Sequence, residues 1–526
     1  MLGKVFFESL SNKKIIGFIF IYVFFMLLFC SHMSPLYFSN EWADVNVYFN
    51  IGKAMLNGRT LYTDIFDHKG PLIFIIYGLG YLISNTTFFG MFLIQLAGWF
   101  AMVYYLYKIA NLYLGKDGAC IAAMILPVLL VKLMKAGGSA EEFILFFECI
   151  SFYYFIKFFN EKDTSKHDPK VMMLHGVLSS AVFFTKLNLM LIWFFPIAGI
   201  CIGLLLKKEY KNLALNLLAY LVGFLLIAIP ICGYFYVNGA LEEAYNVYIE
   251  LNRKYAQLQG IGDTLILLMY HSFYLYLEPL SMCVLLFIGV IYFPIKYIGN
   301  KIGKWAIMLS GISAITLIYM SPVYQYYYPI PLLLFSGLGI LSIFLLIKKY
   351  VTTSQLPFSI VFILAVVLVY AGMSQKDLSE MRIAGLLVKN PGILMQKTRN
   401  IIIQEKNPTL MNLSFGLGNS LFTTCDIVPN VKYFVSPNVT YESYPDMRDE
   451  QEQCIKNKEV QFIIITEPSF DKHTSKVSEE RKVDNYDFFI NLPALKENYT
   501  LVARDTIINT IDERRLNIYQ LYKRID

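Results

Sequence analysis

Long apolar runs separated by short polar joints occupy most of the chain. The runs cover approximately residues 15–30, 86–106, 118–134, 143–159, 171–187, 189–206, 213–236, 278–295, 305–320, 327–347 and 355–373. A helix needs roughly 20 apolar residues to cross a hydrocarbon core, so the pattern predicts about eleven membrane-spanning helices. One further run, Pro71 to Ser84, is short for a crossing. From about residue 375 the pattern changes. Asn, Asp, Glu and Lys occur throughout, and short β-rich runs at 460–466 (VQFIIIT), 499–503 and 516–522 stand among them. This predicts a small α/β domain over 375–526 following a membrane domain over 1–374. The expected fold class is a polytopic α-helical membrane protein with juxtamembrane helices and a C-terminal α/β domain.

The charges between the runs set the topology. Six basic clusters stand out: Lys13/Lys14, Lys108/Lys116, Lys162/Lys166/Lys170, Lys207/Lys208/Lys211, Lys296/Lys301/Lys304 and Lys348/Lys349. Eleven crossings, with 71–84 lying along the surface, place all six on one side, as the positive-inside rule requires. A twelfth crossing at 71–84 would scatter them. The segment 71–84 is therefore expected to be a juxtamembrane helix in the interface. The N-terminus is then cytoplasmic, and the α/β domain lies outside a bacterial cytoplasmic (inner) membrane. The first run follows Lys13 and Lys14 but is not followed by an A-x-A-like cleavage site, so it is expected to stay as an uncleaved helix.

Composition agrees. Hydrophobic residues make up 56% and charged residues 16%, against roughly 25% charged in soluble chains, which excludes an ordinary soluble enzyme. The net charge of +6 is spread over the joints and gives no nucleic-acid patch. Six of the eight cysteines lie in or beside apolar runs. Cys425 and Cys454 lie in the polar region, where an outside location permits a disulfide that their spacing does not demand. No CxxC or His-Cys cluster suggests zinc.

Candidate chemistry concentrates in the first outer loop, SNEWADVNVYFNIGKAMLNGRTLYTDIFDHKGPL, residues 39–72. Residues 40–57 read as a helix with Ser39 placed to cap it. Asn46, Asn50, Lys53 and Asn57 recur at helical spacing as one polar stripe, and Asp44 lies on nearly the opposite side with Tyr48, Ile51 and Met55. A carboxylate on an apolar face needs a reason, because burying an unpaired charge costs several kcal/mol. It is either functional or paired with Arg59 or Lys69. Glu41 shares the face, but its place in the first turn has an electrostatic explanation. Asp64, Asp67, His68 and Lys69 then crowd a turn before Pro71, where basic groups can hold a phosphate and carboxylates can pair with them or bind a cation. A solvated charged turn is the plain alternative.

The helix with Asp44, followed by G-x-x-x-Y-x-D-x-x-D-x-K-G-P-L, resembles the GT-C fold glycosyltransferases, which include protein O-mannosyltransferases and lipid A aminoarabinose transferases. In that superfamily the first outer loop carries the acidic catalytic residue, and a Lys/His-Pro-Pro-Leu-like segment opens a juxtamembrane helix. Here Asp44 matches the first and Lys69-Gly70-Pro71-Leu72 the second. The resemblance implies a polyprenyl-phosphate sugar as donor. It also implies an acidic residue after the third span, where this chain has Ser139-Ala140-Glu141-Glu142. Ser139 and Glu142 fit a capping box, which leaves Glu141 as the functional candidate. Lys186, at the turn between the fifth and sixth spans, either attracts a phosphate or snorkels to the interface. Tyr326 belongs to a tyrosine run (324–328, YQYYY) that reads as an aromatic belt and as pocket lining.

The expected activity is transfer of a hexosyl or pentosyl unit from a polyprenyl-phosphate donor to a cell-envelope glycan, lipid or protein acceptor, with inversion. Asp44 would be the base and Lys69, helped by Lys186, would meet the phosphate. A divalent metal held by Asp44, Asp64 or Glu141 is compatible with this chemistry but not demanded by it. The rival readings are a lipid-linked sugar flippase or transporter, which would want charged residues facing a pathway inside the spans, and an envelope polysaccharide polymerase or ligase with its groups in the late outer loop 237–277. The α/β domain is expected to assist acceptor binding or stability without a catalytic group.

Overall fold

The computed structural model describes residues 7–40, 42–161, 166–255, 262, 265–266, 269–271, 280–321, 324–350, 356–376, 378, 381, 395–413, 416–436, 441, 444–467, 470–471, 484–508 and 515–525. Among the described residues the chain opens with nine α-helices: α1 (Asn12–Cys30), α2 (Ala43–Leu56), α3 (Pro71–Ile83), α4 (Phe89–Asn111), α5 (Lys116–Leu133), α6 (Ala140–Asn160), α7 (Pro169–Phe183), α8 (Leu191–Leu206) and α9 (Tyr210–Val237). Further apolar helices run over Met282–Tyr297, Lys301–Tyr319, Leu333–Tyr350 and Phe358–Met373. Every apolar run of the sequence lies on one of these helices.

Among the described residues, six segments are long and apolar enough to cross a membrane: Asn12–Cys30, Phe89–Asn111, Leu187–Leu206, Tyr210–Val237, Lys301–Tyr319 and Ile330–Lys349. The helices Pro71–Ile83, Met282–Tyr297 and Phe358–Met373 are apolar but shorter. α5 and α6 fall outside the set because they carry charges, Lys116, Asp117 and Lys132 in one and Glu141, Glu142, Glu148 and Lys157 in the other. α7 has 15 residues. The chain is a multi-pass membrane protein. α1 packs on α4 and on the helix Phe358–Met373, α7 on α9, and α8 on the helix Lys301–Tyr319.

Beyond residue 395 the chain builds a five-stranded sheet. β1 (Leu410–Asn412) runs parallel to β2 (Phe462–Thr466), and β2 lies antiparallel to β5 (Arg515–Arg524). β3 (Phe470–Asp471) and β4 (Tyr499–Ile508) also pair antiparallel with β5. The continuous apolar run in β2 follows from burial on both faces, the pattern of a covered strand. Phe462 and Ile464 join the main core, while Ile463 and Ile465 pack with Ile455, Phe489 and Leu495 in a separate cluster. All eight cysteines are free; Cys425 is partly buried and Cys454 fully buried. No disulfide joins them.

α2 departs from its expected form. It begins at Ala43 rather than residue 40, and its cap position is Trp42, which makes no side-chain cap bond. Ser39 is not the cap. The Asn40 side chain accepts from the Trp42 N–H at 3.0 Å, and Asn46 Nδ2 donates back to the Asn40 carbonyl at 2.7 Å. Together they close a turn that delays the helix. The polar stripe faces protein: Asn46, Asn50 and Lys53 are fully buried. Asn50 Nδ2 lies 3.3 Å from Thr423 Oγ1, and Lys53 Nζ donates to the Phe422 carbonyl at 3.2 Å and to Asp426 Oδ1 at 3.0 Å. Burial draws Lys53 below the ordinary lysine range, while the bond to Asp426 opposes it. The late segment is thus clasped onto the helix that carries Asp44.

Candidate active site

α2 delivers Asp44 to a cleft of about 100 Å³ lined also by Tyr48, Phe66, Asp67 and Lys69. Its far wall comes from the late segment, through Asn419, Val435, Ser436 and Met447. Asp44 is partly exposed. Among the described residues it forms no ion pair with Arg59 or Lys69; its carboxylate accepts from Tyr327 Oη at 2.7 Å. The expected Arg59–Asp44 alternative fails on position. Arg59 and Asp64 line a second, polar cavity of about 370 Å³ together with Lys432, Tyr433 and Glu450. Asp64 also caps its own turn, accepting from the Thr60 N–H at 2.8 Å.

The turn before α3 holds three groups in a row. Lys69 Nζ lies 3.3 Å from His68 Nε2, and His68 Nδ1 lies 3.4 Å from Asp67 Oδ1. An ammonium can only donate, so the neutral ring accepts at Nε2 and presents its Nδ1–H to Asp67. Burial pushes His68 well below its ordinary value, and the neighbouring Lys69 and Lys186 add to the effect. Burial pushes Asp67 up against the pull of Lys69. For Lys69 itself burial acts downward, but Asp67, Tyr328, Asp44 and Glu141 outweigh it and hold the ammonium above the ordinary lysine range. Lys69 stays charged beside Asp44.

Gly70 explains how Lys186 reaches the same place. A Cβ there would sit 2.2 Å from the Phe184 carbonyl oxygen, so only glycine lets the two loops touch. Gly70 N then donates to the Thr185 carbonyl at 3.3 Å and Leu72 N to that of Phe184 at 2.9 Å. Lys186 pairs with Glu141 at 2.7 Å and lies 3.8 Å over the Tyr328 ring. Glu141, the residue that capping did not explain, is therefore the buried partner of a half-buried ion pair.

Glu142 has a structural setting. Ser139 Oγ accepts from the Glu142 N–H at 3.0 Å, but the carboxylate does not complete the expected box at Ser139. It reaches one residue further, accepting from Gly138 N at 2.7 Å through Oε2. Its Oε1 accepts from Gln95 Nε2 at 2.7 Å and Trp99 Nε1 at 2.6 Å. Gly137 and Gly138 take φ of +90° and +94°, a region open to glycine at little cost, and Tyr77 Oη donates to the Gly138 carbonyl at 2.6 Å.

The structure brings Asp44, Asp67, His68 and Lys69 together, with Lys186 and Glu141 joined to them through Tyr328 and the Lys69 field. It leaves Asp64 at the other cavity and Glu142 in the wall of the loop. Glu41 lies outside the described residues. Tyr326 stands with its ring under Lys135. Sequence reasoning missed Lys135, Tyr327 as a partner of Asp44, and the wall from Asn419 and Ser436. Only Lys135 carried a local signal, a lysine directly before Ala-Gly-Gly at the end of an apolar run. Among the described residues no three His, Cys, Asp or Glu gather as a metal-holding group.

Several solved structures share this architecture. ArnT from Cupriavidus metallidurans bound to undecaprenyl phosphate superposes with a TM-score of 0.55 at 14% identity, covering 96% of this chain and 97% of that one. The apo form of that protein gives 0.55 at 14%, covering 97% and 98%. The arabinofuranosyltransferase AftD from Mycobacteria gives 0.50 at 13%, covering 99% of this chain and 42% of that one. At such identities the likeness establishes the fold, which is GT-C. Comparison with curated protein sequences gave no match. Residues 8–375 match the family model described as "Putative competence-induced protein Ccs4 N-terminal domain". With that match spanning well over half its length, the chain belongs to the competence-induced protein Ccs4 family.

Proposed function

We propose that this protein transfers a sugar from a polyprenyl-phosphate donor to a cell-envelope acceptor at the outer face of the bacterial cytoplasmic membrane, with inversion. The observation that carries the reading is a carboxylate and a lysine, Asp44 and Lys69, facing one cleft at the start of a juxtamembrane helix. The undecaprenyl phosphate bound by ArnT, on a similar fold, supports a lipid-phosphate donor. In the reaction, Asp44 takes the proton of the acceptor hydroxyl as its oxygen bonds to the anomeric carbon. The bond from that carbon to the phosphate oxygen breaks, and its electron pair leaves with the phosphate, which Lys69 neutralises. Tyr327 orients the Asp44 carboxylate through their hydrogen bond. The lysines supply the positive charge. Hexosyl and pentosyl donors are both consistent with the chemistry.

The reading includes eleven crossings, α2 and α3 at the outer interface, and a membrane domain over 1–374 followed by an outer domain over 375–526. The far wall of the cleft, built by Asn419, Val435, Ser436 and Met447, supports a part for that outer domain in acceptor binding. A transporter without covalent chemistry is less well supported, because Asp44, Asp67 and Lys69 gather in one cleft beside the juxtamembrane helix. A polymerase centred on 237–277 would need its groups there, and Glu250 is engaged with Tyr245 and Arg253 instead.

Three experiments test this. Alkaline phosphatase fused at residue 526 is expected to be active and a cytosolic fluorescent reporter dark; the reverse would remove the eleven-crossing arrangement. Purified protein given undecaprenyl-phosphate sugars and envelope acceptors is expected to release undecaprenyl phosphate only when both are present. Mass analysis of envelope glycans in a deletion strain then identifies the missing unit, and an unchanged glycan profile would count against the transferase reading.

A further inference from the structure

Lys135 is unusual in three independent ways. It is a lysine at φ +50°, a left-handed conformation that a side chain adopts at a cost, and it directly precedes Ala136 and the left-handed pair Gly137–Gly138. That backbone is fixed from outside by Glu142, which accepts from Gly138 N, and by Tyr77, which donates to the Gly138 carbonyl. Lys376 Nζ donates to the carbonyl of Lys135 itself. Strain held in place by its surroundings points to a functional position. Second, the ammonium is held against aromatic rings, 4.6 Å from the ring centre of Tyr326, 5.2 Å from Tyr327 and 5.4 Å from Trp42. Tyr327 is the residue that donates to Asp44, and Trp42 stands two residues before Asp44 on the same segment. Third, the other cations are already engaged. Lys186 is paired with Glu141, and Lys69 sits between His68 and the field of Asp67. Lys135 forms no ion pair within 4.0 Å among the described residues. The loop thus holds an ammonium packed on rings, with no ion pair within 4.0 Å among the described residues, against the Tyr327 that bonds Asp44.

We propose that Lys135 is a second phosphate-binding residue of the transfer site, contacting the phosphate of the polyprenyl donor and of the released product in addition to Lys69. The proposal rests on the reading of the protein as a polyprenyl-phosphate-dependent transferase. With a phosphate bound, the ammonium gains the anionic partner that the rings do not supply, while their faces continue to screen it from water. During transfer the electron pair of the broken bond enters a phosphate flanked by two cations.

The test is binding of undecaprenyl phosphate and of undecaprenol, which lacks the phosphate, to the purified full-length protein in nanodiscs. Wild type is expected to prefer the phosphate. In Lys135→Gln that preference should fall by about tenfold to a hundredfold, the loss of one hydrogen bond to a charged group, with undecaprenol binding unchanged. Lys135→Arg should stay within a few-fold of wild type and keep the salt dependence. A Lys135→Gln protein that keeps the full phosphate preference overturns the proposal while leaving the transferase reading intact. Wild type that does not distinguish phosphate from alcohol overturns both. If Lys135→Gln does not purify folded, Tyr326→Leu, which removes one ring of the cage, enters the same comparison. It is expected to lose part of the phosphate preference, and an undiminished preference overturns the proposal.

Discussion

Asp44→Asn is expected to slow sugar transfer by roughly the 10²–10⁴ that the loss of a general base costs, with little change in donor binding. The substitution keeps the shape of the side chain and can still accept from Tyr327 Oη, so the α2 geometry has no cause to shift. Lys69→Ala should behave differently. It removes the cation facing the same cleft, so donor binding and rate should fall together. The comparison separates a base from a structural anchor. If Asp44 served only to hold Tyr327, the Asn variant would keep its rate and Tyr327→Phe would cost as much as Asp44→Ala. Steady-state rates with a defined donor, measured on folded protein, decide between them. A folded Asp44→Asn enzyme at wild-type rate ends the assignment and turns attention to Asp67 and Glu141.

The second large effect is expected at Glu142, and it falls on stability. Both carboxylate oxygens accept hydrogen bonds, two donors meeting Oε1 and Gly138 N meeting Oε2. A glutamine cannot reproduce this. Whichever way its amide turns, an N–H points at another N–H, and leaving a buried donor unsatisfied costs about 1–3 kcal/mol. Glu142→Gln should therefore lower the thermal midpoint, and Glu142→Ala, which abandons all three donors, should lower it further. Because the same bonds fix Gly138, transfer should fall in the folded remainder as the loop slackens. Equal midpoints for Glu142→Gln and wild type would show that the charge does not organise this loop.

Much of the architecture was legible because its signals are local. Apolar runs gave the helices, β-rich runs gave β2, β4 and β5, and Pro71 opens α3 where the sequence places it, at the first helical turn that tolerates proline. Asp44 and Lys69 were legible as neighbours because only 25 residues separate them. What could not be read is what crosses long distances. Nothing within residues 40–57 says that Asn46, Asn50 and Lys53 face a protein wall, since their partners lie more than 360 residues later. Tyr327 looked like one of several belt tyrosines, and only its bond to Asp44, across 283 positions, distinguishes it. Ser39 misled for a local reason, because Asn40 competes for the same backbone and delays the helix.

The clasp between α2 and the segment 419–427 also sets an order of events in time. Synthesis runs from the N-terminus, so α2 is made hundreds of residues before Thr423, Asp426 and Ile427 exist to receive its buried Asn50 and Lys53. Until then Lys53 lacks the carbonyls and the carboxylate that receive it, and the cleft beside Asp44 lacks the wall that Asn419 and Ser436 provide. Contacts of such sequence separation are the last to form. The nascent chain therefore stays catalytically silent while its membrane helices are being inserted. A protein truncated before residue 419 is expected to lose transfer activity, because it lacks the far wall of the cleft and leaves Lys53 without its partners.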